Sequence, residues 1–403
     1  MIENLIEIIL FQAGYNVSLV LFGATILGFV AGMAGVFIFL QKRALVCDAL
    51  AHATLPGIAI AFLVMTFLGG TGRSLIGLLF GAALTAALGL YCIDLINRYT
   101  RLSEDVAIGA ILSVFFGAGV VLLTYIQTLS FGGVAGLESF LFGAVAGMLL
   151  EDAYILVIGS GFCLMILLLL QRPLTLISFD RVYAHSLRLN IRFYDLSLMM
   201  LIMGITVIGL KIAGLILIVA LLIIPTVAAR FWSDNIGFIL WASAIIGGLS
   251  GFMGAALSAL LPDMPTGPII VLICFIFFLL SFLFAPFRGV LAQFMKQRQF
   301  QEKVHRRQGL LALGHNEKIY DGLTLKILSR EGYLRKDGMA TPLGQSAAGK
   351  ALLEEKRWQI FRQMSVHNSN VKGFDELEDI ANFLTSDELN QIDIIIDKQN
   401  RVI

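Results

Sequence analysis

Apolar residues run almost unbroken through nine stretches of the chain, near residues 16–40, 44–68, 75–97, 105–126, 153–171, 195–210, 213–230, 237–261 and 268–287. A bilayer core about 30 Å thick takes about 20 apolar residues per helix, so each stretch predicts a membrane-spanning helix. Two places set the margin on that count at one. The Gly-rich stretch 131–148 reads as a re-entrant segment or a further helix, and Lys211 interrupts the long apolar run 195–230. After Arg288 the pattern changes. Residues 324–364 read as helix, a short hairpin turning at Lys336-Asp337-Gly338, and a second helix opened by Thr341-Pro342.

Composition places these helices in lipid. Of 403 residues, 58% are hydrophobic and 14% charged, with a net charge of +1, against roughly 25% charged in a soluble domain. That excludes a soluble enzyme and a secreted scaffold, and near-neutrality gives no general attraction to nucleic acid. Residues 1–288 hold 12 Lys/Arg and 13 Asp/Glu while the much shorter 289–403 hold 17 and 15, which predicts a membrane domain and a polar domain meeting at that boundary. The four cysteines form no CxxC pair and read as packing residues. The N-terminus has two glutamates and no basic residue before its apolar run, unlike a cleaved signal.

The basic residues assign sides. Lys42, Arg43, Arg98, Arg101, Arg172, Arg181, Arg188, Arg192, Arg230 and Arg288 fall in alternate loops, leaving Arg73 and Lys211 opposite. By the positive-inside rule the first set is cytoplasmic, and the tail with it. Gly28/Gly32, Gly77/Gly81, Gly143/Gly147 and Gly247/Gly251 have the GxxxG spacing of close helix packing.

Ionisable residues inside spans mark candidate sites. Asp48 and His52, in RALVCDALAHATLPG, are four apart and share one helix face. Pro56 has no N–H for the carbonyl of His52. A carboxylate, an imidazole and a freed backbone oxygen thus gather at one level, a donor set for Mn(II), Fe(II) or Zn(II). Two side chains are too few for a tight site, but two such subunits across a two-fold axis would supply four. The competing expectation is a structural pair, Asp48 with His52 or with Arg43. Asp94 reads as an i, i+4 partner of Arg98.

The blocks RALVCDALAHATLPGIAIAF (43–62), EDVAIGAILSVFFGAGVVLL (104–123), LESFLFGAV (137–145), FDRVYAHSLRLNIRFYD (179–195), IAGLILIVALLIIPTVAAR (212–230) and DMPTGPIIVL (263–272) occur in this order. In them the chain resembles, over about residues 10–290, the membrane permease subunit of the bacterial ABC-3 family of manganese, zinc or iron importers. The resemblance implies that Asp48 and His52 line the ion path. It implies a coupling helix at about 179–190, with Phe179, Asp180, Arg181, Tyr183, Ala184 and Leu187 docking on a separate ABC ATPase. Arg188 stands where that family commonly has glycine. Further implied partners are an extracytoplasmic metal-binding protein and a second permease subunit, identical or paralogous. The metal is cargo, with no resident cofactor, and the chain itself is no enzyme. Glu138, Glu151, Asp152 and Asp263 fall on the outer side. GQSAAGKA (344–351) imitates a phosphate-binding loop but has Ala351 in place of Ser/Thr and no preceding strand.

The tail resembles a degenerate winged helix of the iron-dependent repressor type, with 374–393 matching its metal-binding and dimerisation segment. Ala381, Asn382 and Phe374 replace expected ligands, and only Lys326 and Arg330 on helix 323–330 are candidate DNA contacts. Regulation or dimerisation is therefore favoured over DNA binding. The expected architecture is an all-α polytopic membrane domain (1–288) followed by a small cytoplasmic α+β winged-helix-like domain (289–403). The expected function is that of an inner-membrane ABC permease for divalent metal. A siderophore-type chelate permease, a membrane-tethered transcription regulator and a channel are the alternatives.

Overall fold

The computed structural model describes residues 15–69, 74–129, 150–260, 264–335, 337–365, 377 and 379–400. The predicted segment 131–148, with Glu138, and Lys336, Phe374 and Asp263 lie outside them. The chain divides into two compact units, Met1–Ala292 and Gln293–Ile403.

The first unit is helical throughout its described residues: α1 Tyr15–Leu40, α2 Ala44–Phe67, α3 Leu75–Tyr99, α4 Glu104–Thr128, α5 Leu150–Phe179, the short α6 Arg181–Ser186, α7 Ile191–Arg230, α8 Ile236–Leu260 and α9 Thr266–Phe284. Eight helices among the described residues are long and apolar enough to cross a membrane. The ninth predicted span, 213–230, is instead a shorter apolar helix, Leu217–Arg230. It is the second half of α7, which breaks at Gly214 (φ 69, ψ 172), a conformation that only glycine adopts at low cost.

Helix α1 is the hub. Its interior positions Leu21, Ala31, Ala34 and Phe37 are fully buried, and it packs antiparallel on α8. A methyl on Gly28 would run into the carbonyl of Gly247, one on Gly32 into that of Ser243, and one on Gly251 into that of Ala24. Two predicted GxxxG pairs thus face each other in one seam, where backbone contact replaces the hydrophobic drive that lipid cannot supply. The carbonyl of Gly32 accepts hydrogen bonds from Ser243 Oγ (2.6 Å) and Thr226 Oγ1 (3.2 Å), all three residues buried.

The antiparallel seam puts the start of α8 level with the end of α1, and the loops at that end are tied by charge. Arg43 Nε lies 2.8 Å from Glu104, and Asp195 receives Arg43 (3.8 Å) and Arg181 (3.6 Å). Asp234 joins Arg230 (3.0 Å) and Arg288 (2.7 Å). The basic loops grouped by sequence are therefore gathered at one end of the bundle.

The second unit holds most of α10 Val290–Gly314, then α11 Gly322–Arg330, α12 Pro342–Ser365, a 3-10 turn Ile380–Asn382 and α13 Ser386–Asn400. The expected α+β winged helix is not what these residues form. Among those described there is no strand, only an isolated antiparallel bridge between Leu334 and Ala340. Gly332 and Gly338 have positive φ (77° and 82°), and Thr341 caps the next helix by accepting from Gly344 N at 3.0 Å. Pro342 therefore opens α12 at once and leaves room for a single paired position. Residues 344–351 lie inside α12, so GQSAAGKA is a stretch of helix and no phosphate-cradling loop. Trp358 is buried against Phe361 and Phe383, and Ile360, Ile392 and Ile396 form a small core beside the Arg357–Asp393 pair (2.6 Å).

Candidate metal path and ATPase contact

Asp48 and His52 sit one turn apart on α2. Asp48 Oδ1 lies 3.4 Å from His52 Nε2, with the side chains 42% and 26% exposed. That gap decides what the pair can hold. Two ligands bonded at ~2.1 Å with a tetrahedral angle stand ~3.4 Å apart. The 3.4 Å between carboxylate oxygen and ring nitrogen matches that spacing, as it does a direct Asp–His contact. Nδ1 of His52 is buried with no hydrogen-bond partner among the described residues. The ring's edge meets Phe116 of α4, centroids 5.0 Å apart at 78°.

Arg43, the alternative partner of Asp48, is engaged with Glu104 and Asp195 instead. Asp94 pairs with Arg98 as the i, i+4 spacing suggests. Among the described residues no group of three or more His, Cys, Asp or Glu could hold a metal. One chain brings together two side chains of ligand type here.

Close packing fixes the level of this pair. A methyl on Gly57 would strike the carbonyl of Gly81 on α3, and one on Gly119 of α4 would come 2.6 Å from Leu55 and 3.3 Å from Pro56. Residues 55–57 are therefore held between α3 and α4, one turn beyond His52. Sequence reading missed Phe116, Gly57 and Gly119, which carry no signal of their own within an apolar, Gly-rich pattern. Elsewhere on α2 the apolar residues Leu45, Ile60, Val64 and Phe67 are exposed.

The expected coupling segment 179–190 contains a helix of six residues, Arg181–Ser186. Asp180 caps it by accepting from Tyr183 N (2.8 Å), and Asn190 caps α7 by accepting from Phe193 N (3.2 Å). Asp180 sets the start of the short helix, and the left-handed Arg188 follows its end. Phe179, Val182, Tyr183 and Leu187 are exposed, whereas Ala184 is fully buried and Arg181 reaches Asp195. The six implied residues therefore divide: Phe179, Tyr183 and Leu187 present apolar surface, while Asp180, Arg181 and Ala184 hold the helix to its own chain.

Comparison with known proteins agrees with this architecture. The sequence matches the ABC 3 transport family over residues 15–285. It is 40% identical over 299 residues to a Bacillus subtilis manganese transport system membrane protein, covering 74% of this chain and 67% of the relative. It is 36% identical to a Treponema pallidum zinc transport system membrane protein, covering 71% and 94%. The structure is similar to a chain of PsaBC from Streptococcus pneumoniae solved with a Fab, with TM-score 0.63, 27% identity and 74% and 100% of the two chains covered. A metal-chelate type ABC transporter in an inward-facing conformation shares the fold at 20% identity, with TM-score 0.53, covering 65% and 83%.

Proposed function

We propose, since the chain belongs to the ABC 3 transport family, that it is the membrane permease of an ATP-driven importer of divalent manganese, zinc or iron, with Asp48 and His52 lining the ion's path. The observation that carries this reading is the half-exposed Asp48–His52 couple, spaced at 3.4 Å for a shared ion and unclaimed by Arg43. A carboxylate and an imidazole within a span are costly to keep without a use. Relatives named for manganese and for zinc support the class of ion and leave the choice between them open.

A second permease subunit, a copy or a paralogue, covers the open face of α2 and brings its own Asp–His pair. Four side-chain ligands then bind the ion firmly enough to select it and loosely enough to release it. The basic end of the bundle faces the cytoplasm by the positive-inside rule, and the tail lies on that side. Phe179, Val182, Tyr183 and Leu187 dock on a separate ABC ATPase, and an extracytoplasmic binding protein delivers the ion to the opposite face. The tail, with its helices joined by a one-bridge turn, serves regulation or dimerisation.

The test is uptake of labelled manganese, zinc and iron by cells expressing the protein with its ATPase and binding protein, comparing wild type with Asp48→Asn and His52→Gln. One metal should accumulate, and both variants should fall to background while still assembling. Competition by free ion rather than by chelate separates this reading from a chelate permease. Wild-type uptake in both variants would reduce the pair to a structural contact.

A further inference from the structure

A half-enclosed cavity of about 670 Å³ opens between α3 and the first turns of α2, α4 and α7. It belongs to the end where the basic loops gather, and the Asp48–His52 pair does not line it. Its two long walls carry the same gradient in opposite chain directions. On α3 the lining passes from Ala87, Leu90 and Tyr91 to Asp94, Asn97 and Arg98; on α7 it passes from Arg192 and Asp195 to Leu196, Met199 and Met200. The cavity is thus polar at its rim and apolar in depth, over the ~16 Å that eleven residues of helix span. That shape and gradient fit an amphiphile lying along the helix axes, and neither a bare ion nor a small polar metabolite would use the apolar depth.

The rim specifies the headgroup. Arg43, Arg98 and Arg192 face Asp94, Glu104 and Asp195, so its formal charge balances. Arg43 is taken by Glu104 and Asp195, and Arg98 by Asp94. Arg192 makes no ion pair among the described residues. Asn97 Oδ1 is buried with no hydrogen-bond donor among them, a cost of about 1–3 kcal/mol for a polar atom left unmatched. One free guanidinium asks for an anion and one orphaned acceptor asks for an N–H, while the three carboxylates oppose a net negative charge.

We propose that this cavity is a binding site for a zwitterionic phospholipid with a primary ammonium headgroup, of the phosphatidylethanolamine type. The phosphate pairs with Arg192, the ammonium donates to Asn97 Oδ1 beside the carboxylate of Asp94, and an acyl chain runs along Leu90, Tyr91, Met199 and Met200. A quaternary ammonium has no N–H to give Asn97, and a glycerol headgroup brings the phosphate charge without a cation.

The full chain is reconstituted in nanodiscs of equal parts phosphatidylethanolamine, phosphatidylcholine and phosphatidylglycerol, extracted in mild detergent, and its retained lipids are weighed by native mass spectrometry. Wild type should retain about one phosphatidylethanolamine per chain, preferred about tenfold over each competitor, the ratio that one charge-assisted hydrogen bond supplies. Arg192→Gln should lose that retention about tenfold, and Asn97→Leu should abolish the preference over phosphatidylcholine. Because the headgroup competition is read on wild type, the proposal stands or falls even if a variant does not fold. Equal retention of the three lipids overturns it, as does a preference for phosphatidylglycerol, which would make the site one for phosphate alone. Wild-type selectivity in both folded variants also overturns it.

Discussion

At the scale of single residues two side chains stand out, and the sequence had already marked the first as unusual. Arg188 has φ 58°, and the bond from Leu189 N to Ala184 O (3.2 Å) closes α6 behind it. A left-handed residue at that place favours glycine. Arg188→Gly should therefore raise thermal stability by about 1 kcal/mol, read as a higher unfolding midpoint in detergent, and no rise would mean that the arginine side chain earns its strain elsewhere. The other residue is Glu354, whose carboxyl is pushed up to about 7 by burial, by its hydrogen bond to Asp379 and by that neighbour's charge, with Arg307 and Arg357 opposing. The shift is upward, so the stability it contributes is full below the ordinary carboxylate value near 4.5 and is lost as pH rises through about 7. Glu354→Gln should remove that pH dependence and strengthen the tail above pH 7. Hydrogen exchange at Ile360, Ile392 and Ile396 in the full chain, compared across that range, checks it; identical profiles in the two proteins would refute it.

Among the elements, the short helix α6 shows how little of a surface helix needs to be free. Its caps and the Arg181–Asp195 pair (3.6 Å) fix its position, leaving Val182, 82% exposed, as its most open apolar side chain. Val182→Asp should abolish co-purification with the ATPase and metal uptake without lowering the chain's own unfolding midpoint. Ala184→Asp, which buries a charge, should lower that midpoint by several kcal/mol of stability. If Val182→Asp keeps the ATPase bound, the docking surface lies elsewhere. The helix pairs α1/α8 and α2/α3 work by a different rule, since glycine carbonyls and backbones meet there directly. GxxxG spacing announced which residues would be small; only the structure paired Gly28 with Gly247 and Gly81 with Gly57.

For the whole molecule, the core clusters of the first unit draw, among the described residues, on residues between Val17 and Val271, and the tail has a small core of its own around Ile360. Deleting residues 300–403 should therefore leave the membrane unit folded and change only assembly or the response of uptake to metal. Unchanged uptake, assembly and metal response would remove the tail from transport altogether. Much of this plan was legible in the sequence because its signals are local. Lipid demands about 20 apolar residues per crossing, so the spans and the alternation of basic loops are written along the chain. Helical periodicity alone puts Asp48 and His52 on one face. The tail's strands were misjudged because turn residues and alternation at 332–342 look alike whether one pair or several form. Tertiary structure alone decided that Arg43 turns to Glu104 and Asp195 and leaves Asp48 to His52, that Phe116 closes on the imidazole, and that the polar ends of α3 and α7 meet around one cavity. These are contacts between segments distant in sequence. Hydropathy and spacing specify which face of a helix is buried, and the packing of whole helices settles which residue of another helix meets it.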